Sequence, residues 1–189
     1  MSIISTKDFL PKKPTIKQIT IMALLIAIEV ILSRFLAIPT PIIKISLNFL
    51  PIVMMALICG PVYAGIGAAT GDFIGAMLFP FGPYFPGFTL TAFLIGLTYG
   101  IFLYKKELTG NLGLMRIFCA AVFVTVLIQL GIETIWVAMI MTGNPESTYE
   151  SFWQAYTTLA ITRAVRTAIM LPIQVVLIRL LPLVTRHIT

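Results

Sequence analysis

The chain has 189 residues, 59% of them apolar and 11% charged, with a formal net charge of +6. A soluble domain carries about 25% charged residues, so this chain has too little charge to cover a surface in water. Its mean hydropathy of +1.02 agrees. Disorder, a coiled coil and a soluble globular enzyme are excluded. Crossing a bilayer takes about 20 apolar residues per helix, which leaves room for about six helices joined by short links. The fold class expected is an all-α integral membrane bundle of six transmembrane helices.

Residues 1–15 are polar, basic and proline-bearing, and read as a cytoplasmic tail. Basic residues scatter over Lys7 to Lys17, and the full-length apolar span that follows has no small-residue cleavage site, so the N-terminus does not read as a secretory signal peptide. Residues 16–189 form one six-helix membrane domain. The first span runs over 16–36, and Pro39 and Pro41 then break the helix. Residues 38–46 become an outer loop carrying Lys44. The second span, 47–59, ends at Gly60-Pro61; about 13 residues rise only about 20 Å, which is short for a crossing. The third runs over 62–79. Residues 80–88 hold too much proline and glycine for a helix. The fourth, 89–104, ends at Lys105-Lys106-Glu107. The fifth, 112–141, and the sixth, 151–181, are each about 45 Å long and must tilt or project. Pro172 predicts a kink in the sixth.

Charge sets the orientation. With the N-terminus inside, Lys7, Lys12, Lys13, Lys17, Lys105, Lys106, Arg116, Arg179 and Arg186 lie at cytoplasmic ends, against Arg34 and Lys44 outside. The positive-inside rule therefore predicts that both termini are cytoplasmic. It also accounts for the basic excess without nucleic acid, for which no basic stretch interleaved with polar residues is present. Cys59 and Cys119 sit in apolar stretches and read as buried small hydrophobes.

Residues 79–88 hold five aromatics, three prolines and two glycines. That composition suits an interfacial aromatic belt or a stiff lid over a planar ligand, its backbone ordered at low entropic cost. Ionisable residues within membrane spans are expensive and so are candidates for function; these are Glu29, Asp72, Glu133, Arg163 and Arg166. On the fifth helix Gln129, Glu133 and Trp136 share a face, and on the sixth Tyr156, Arg163, Arg166, Met170 and Gln174 do. Two such stripes predict a polar, aromatic-lined cavity, or structural ion pairs of Glu133 or Asp72 with Arg163 or Arg166. Gly67, Gly71 and Gly75, and Gly96 with Gly100, form small-residue ridges for close helix packing. Ala23 and Ala27 form a weaker one. No phosphate loop, GxSxG elbow or HExxH motif occurs, and the single histidine is His187. No catalytic residue, metal site or cofactor is assigned.

Several segments together resemble a known family. Lys44-Ile45-Ser46-Leu47 with Phe49-Leu50-Pro51, Gly60-Pro61, Gly71-Asp72-x-x-Gly75 and Phe79-Pro80-x-Gly82-x-Tyr84-Phe85-Pro86-Gly87-Phe88-Thr89-Leu90 are similar to the substrate-binding S components of energy-coupling factor (ECF) vitamin transporters. The aromatic loop running into Gly96-Leu97-x-Tyr99-Gly100 resembles the folate-specific branch. The resemblance implies a vitamin site near the outer face of a bacterial cell membrane, covered by outer loops. It also implies partners: a membrane coupling protein, contacted through Ala23 and Ala27, and two ATPase subunits. Folate would be met by a carboxylate, Glu133 or Asp72, accepting the forked donors of the pterin. Trp136, Tyr84, Phe85 and Phe88 would stack on its rings, and Arg34, Lys44 and Arg163 would receive the glutamate tail. The alternatives are the same architecture for riboflavin or thiamine, a proton-coupled carrier acting alone, or a membrane enzyme.

Overall fold

The computed structural model of the chain describes residues 14–39, 44–80, 84–108, 110–143 and 149–185; the side chains at 38–39, 44–45, 149 and 182–185 lie outside the described set. Six helices follow in order: α1 (Ile16–Arg34), α2 (Phe49–Cys59), α3 (Pro61–Leu78), α4 (Pro86–Leu103), α5 (Gly110–Met141) and α6 (Tyr149–Thr185). α1, α4, α5 and α6 are long and apolar enough to cross a membrane. Between α1 and α2, Ile38–Pro39 and Lys44–Ile45 form a short antiparallel ladder, Ile38 opposite Ile45 and Pro39 opposite Lys44.

α2 has only 11 residues, but Phe49, Ile52, Val53, Met55, Ala56 and Ile58 are all buried. A helix apolar on every side belongs inside a bundle, and α2 packs against α1, α3, α4 and α6. Gly60, at φ +90°, turns the chain straight into α3, where Pro61 needs no amide partner. α3 and α4 then lie in the closest contact of the fold. A Cβ on Gly96 would collide with the Ala64 carbonyl, and one on Gly100 with the Pro61 backbone. These are the expected ridges, and they act within the chain.

Two elements depart from expectation. α4 begins at Pro86, three residues earlier than predicted, because proline at the first helical position costs no hydrogen bond. Within α5, Phe123–Ile132 is wound as a π-helix instead of a uniform α-helix. Helix α6 continues through Pro172. The core includes Val53, Met55, Tyr99, Leu103, Ile117, Val124 and Ile178, and Tyr99 donates its hydroxyl to Gln174 Oε1 at 3.4 Å. The outward faces are apolar too: Ile161 is 70% and Leu112 71% exposed. In water that surface would aggregate; in a bilayer it is the lipid contact.

Candidate functional site

The bundle has two ends of different chemistry. Gln18 reaches the Ile58 carbonyl at 3.4 Å, Tyr104 covers Gly60, and Arg116 reaches the Glu107 carbonyl at 3.4 Å at one end. The basic residues Lys17, Lys105 and Lys106 gather there. Every candidate ligand residue with a described side chain lies toward the other end, where α1, α3 and α5 finish and α4 and α6 begin.

On one side of that end, Arg34 Nη2 stands 3.8 Å from Asp72 Oδ1, and Arg34 Nη1 donates to the Phe79 carbonyl at 3.4 Å. Thr89 Oγ1 donates to Asp72 Oδ2 at 2.9 Å, and the Tyr84 hydroxyl meets Thr89 Oγ1 at 3.1 Å. Edge contacts of Phe35 with Phe79 and of Phe73 with Tyr84 complete the arrangement. Asp72 therefore pairs with Arg34, not with Arg163 or Arg166 as the structural alternative expected. The reason is position: the glycine ridge of α3 faces α1. A Cβ on Gly75 would meet Arg34 Nε at 2.8 Å, and one on Gly71 would meet Glu29 Oε2 at 2.6 Å. Glu29 is seated on this ridge at 3% exposure. Ser46, just before α2, is tied to α1 by donating to the Leu32 carbonyl at 3.0 Å. Lys44 has its backbone in the ladder, but its side chain lies outside the described residues.

On the other side, α4, α5 and α6 converge. Phe85 lies 5.5 Å from Trp136 at 49°, and 6.1 Å from Phe88, edge to face. Trp136 Nε1 donates to Thr91 Oγ1 at 3.1 Å. One turn below, Glu133 Oε1 is 3.8 Å from Arg163 Nη1, which also donates to Thr134 Oγ1 at 3.5 Å. Arg166 is within electrostatic reach of both Glu133 and Arg163. The expected pairing of Glu133 with an arginine of the sixth helix is present. The expected stripe also faces inward, since Met170 and Gln174 are buried.

The π-winding ends where this group begins. Its i→i−5 bonding carries Glu133 N–H to the Ile128 carbonyl, and Thr134 Oγ1 reaches the Gln129 carbonyl at 3.5 Å. π-segments recur at functional positions because they widen the helix and re-aim side chains.

Residues 84–91 join the two groups, sending Tyr84 and Thr89 to one side and Phe85, Phe88 and Thr91 to the other. Thr91 and Thr134 were not picked out from sequence, and Thr89 only as a member of the aromatic-loop motif, not as a site residue. A threonine in an apolar helix usually returns its hydroxyl to the carbonyl four residues back, as Thr98 and Thr125 do here, and so carries little signal. Ala23 and Ala27 are exposed on the outer face of α1, opposite buried Leu25 and Glu29.

Three comparisons bear on this arrangement. The profile of the family described as ECF-type riboflavin transporter, S component, matches residues 13–183. A folate transporter, FolT, of Clostridium novyi (strain NT) is 42% identical over 157 residues, 83% of each chain. FolT of Leuconostoc mesenteroides subsp. mesenteroides is 28% identical over 171 residues, 90% of this chain and 87% of the relative. A solved structure described as FolT bound with folic acid superposes with a TM-score of 0.72 at 40% identity, covering 88% of this chain and 93% of the other.

Proposed function

The chain belongs to the S-component family of ECF-type transporters, and we propose that it is the folate-binding membrane subunit of such an importer, working with an ATP-hydrolysing module. The family transports and does not catalyse a chemical conversion. The observation that carries folate over riboflavin is the relationship to two folate transporters along most of the chain, 42% identity in one case, together with the fold of a FolT that holds folic acid. The riboflavin label belongs to the broader family profile.

The residues suit the assignment. Phe85, Phe88 and Trp136 offer ring faces to a planar heterocycle, and Glu133 is a carboxylate for the pterin's adjacent donors. Arg163, 3.8 Å from Glu133, orients that carboxylate at the pterin end, whereas Arg34, on the other side, supplies a cation for the tail and is already held by Asp72, which a ligand would have to share. Lys44 is proposed for the same role from its place in the outer loop, and Asp72 and Tyr84 as the tie that holds the aromatic segment against α1 and α3. The exposed Ala23 and Ala27 are proposed to meet the coupling protein. We place the site end outside a bacterial cell membrane and both termini inside, because the opposite end carries the basic residues.

The test is direct. Protein purified in mild detergent should carry or bind folic acid, identified by mass and ultraviolet spectrum. Calorimetry should give saturable binding that riboflavin and thiamine do not displace. A bound flavin, or displacement of folic acid by riboflavin, would overturn the assignment.

A further inference from the structure

We propose that Thr91 is the positioning residue for Trp136: it sets the plane in which the indole presents itself, and through it the fit of a planar ring at the Phe85–Trp136 cradle. The proposal rests on the folate reading for its ligand, but not for its geometry. Thr91 is 3% exposed on the buried side of α4. Its hydroxyl accepts from Trp136 Nε1–H at 3.1 Å and donates to the Gly87 carbonyl at 2.9 Å. A hydroxyl can do both at once, having one donor and two lone pairs. Thr98 and Thr125 likewise donate to a carbonyl four residues back, but Thr91 also receives an aromatic N–H from another helix.

The chain N–H···O–H···O=C ties the indole on α5 to the first turn of α4. Because its N–H is engaged, Trp136 keeps only its ring faces and edges for a ligand, which suits a stacking surface. Gly87 completes the seat. It lies four residues before Thr91, on the same face of α4, and a Cβ there would stand 2.8 Å from Trp136 Cδ2 and collide with the Phe85 ring. The indole is thus held through its nitrogen by Thr91, with its ring-fusion atom Cδ2 over the open side of Gly87, and beside Phe85 at 49°. Loss of the hydroxyl would free one of these restraints while leaving the packing volume in place.

The chain has two tryptophans, Trp136 and Trp153, so a Trp153→Phe parent reports on Trp136 alone. In this full-length background, Thr91→Val removes the hydroxyl at nearly constant shape and Thr91→Ser keeps it. Thr91→Val is expected to shift the Trp136 emission maximum without ligand and to lower folic acid affinity by about tenfold or more, since a site must be held to within about 0.5 Å of its productive geometry. Thr91→Ser should restore both to near the parent, and the thermal unfolding midpoints of all three should be similar. The proposal is overturned if Thr91→Val keeps the parent's emission and affinity, or if Thr91→Ser fails as Thr91→Val does. A parent that ignores folic acid would defeat the ligand assignment; the emission comparison would still decide the role of Thr91.

Discussion

Glu133 and Arg163 illustrate how a charge behaves at this depth. A cation at the centre of a membrane helix costs about 2.5–3.5 kcal/mol by insertion scales, so Arg163 is held beside a carboxylate and the Thr134 hydroxyl. The pair is an ordered acceptor that a ligand with two adjacent donors can share, and it also has structural value. These roles separate on substitution. Glu133→Gln keeps the shape but removes the charge-assisted acceptor, and should weaken folic acid binding by more than about tenfold, or more than about 1.4 kcal/mol. Unchanged affinity by calorimetry would remove Glu133 from the site. Both members of this pair were visible in the sequence because charge is rare in apolar helices. Thr91 and Thr134 were not, because a helical threonine looks the same whether its oxygen faces lipid or a second helix.

At the scale of elements, the glycine ridges decide which helices touch and how closely. Gly71 and Gly75 on α3 make room for Glu29 and Arg34 of α1, whereas Gly96 and Gly100 on α4 lie against the backbone of α3. The two kinds of seat should respond differently to a methyl group. At Gly71 the neighbour is the far end of a flexible side chain, which can turn aside; at Gly100 it is the backbone of Pro61, which cannot. Overpacking of a filled site costs about 1–3 kcal/mol, and Gly100→Ala belongs at the upper end. Thermal unfolding in detergent should show a larger fall in midpoint for Gly100→Ala than for Gly71→Ala, and Glu29→Ala should recover part of the Gly71→Ala loss. Equal midpoints would contradict the close approach of α3 and α4. The helices themselves were legible to within four residues at either end. The π-winding of α5 was not, because no residue type in Phe123–Ile132 demands it and its register is a property of packing.

For the whole molecule, the apolar exterior and the two unlike ends define a body that sits in a bilayer with its candidate site at one face. Under the proposed function, import draws its energy from the ATPase partners of an S component. Folate uptake into vesicles should therefore require co-reconstituted coupling protein, both ATPase subunits and ATP. Uptake by the chain alone under a proton gradient would instead support an independent carrier.

Residue type and order along the chain determined the membrane class, the six helices, the end at which the basic residues gather and most of the ionisable candidates. Each of these follows from the cost of placing charge or open backbone in hydrocarbon. That cost depends on residue type and spacing along the chain. The partners of those residues were decided only in three dimensions. Asp72 meets Arg34 because the Gly71–Gly75 ridge admits α1, and Trp136 meets Thr91 because Gly87 lets α5 approach the first turn of α4. Which of two chemically acceptable partners is chosen depends on helix rotation and on distances of a few ångströms. Packing sets these, and no local pattern of residues encodes them.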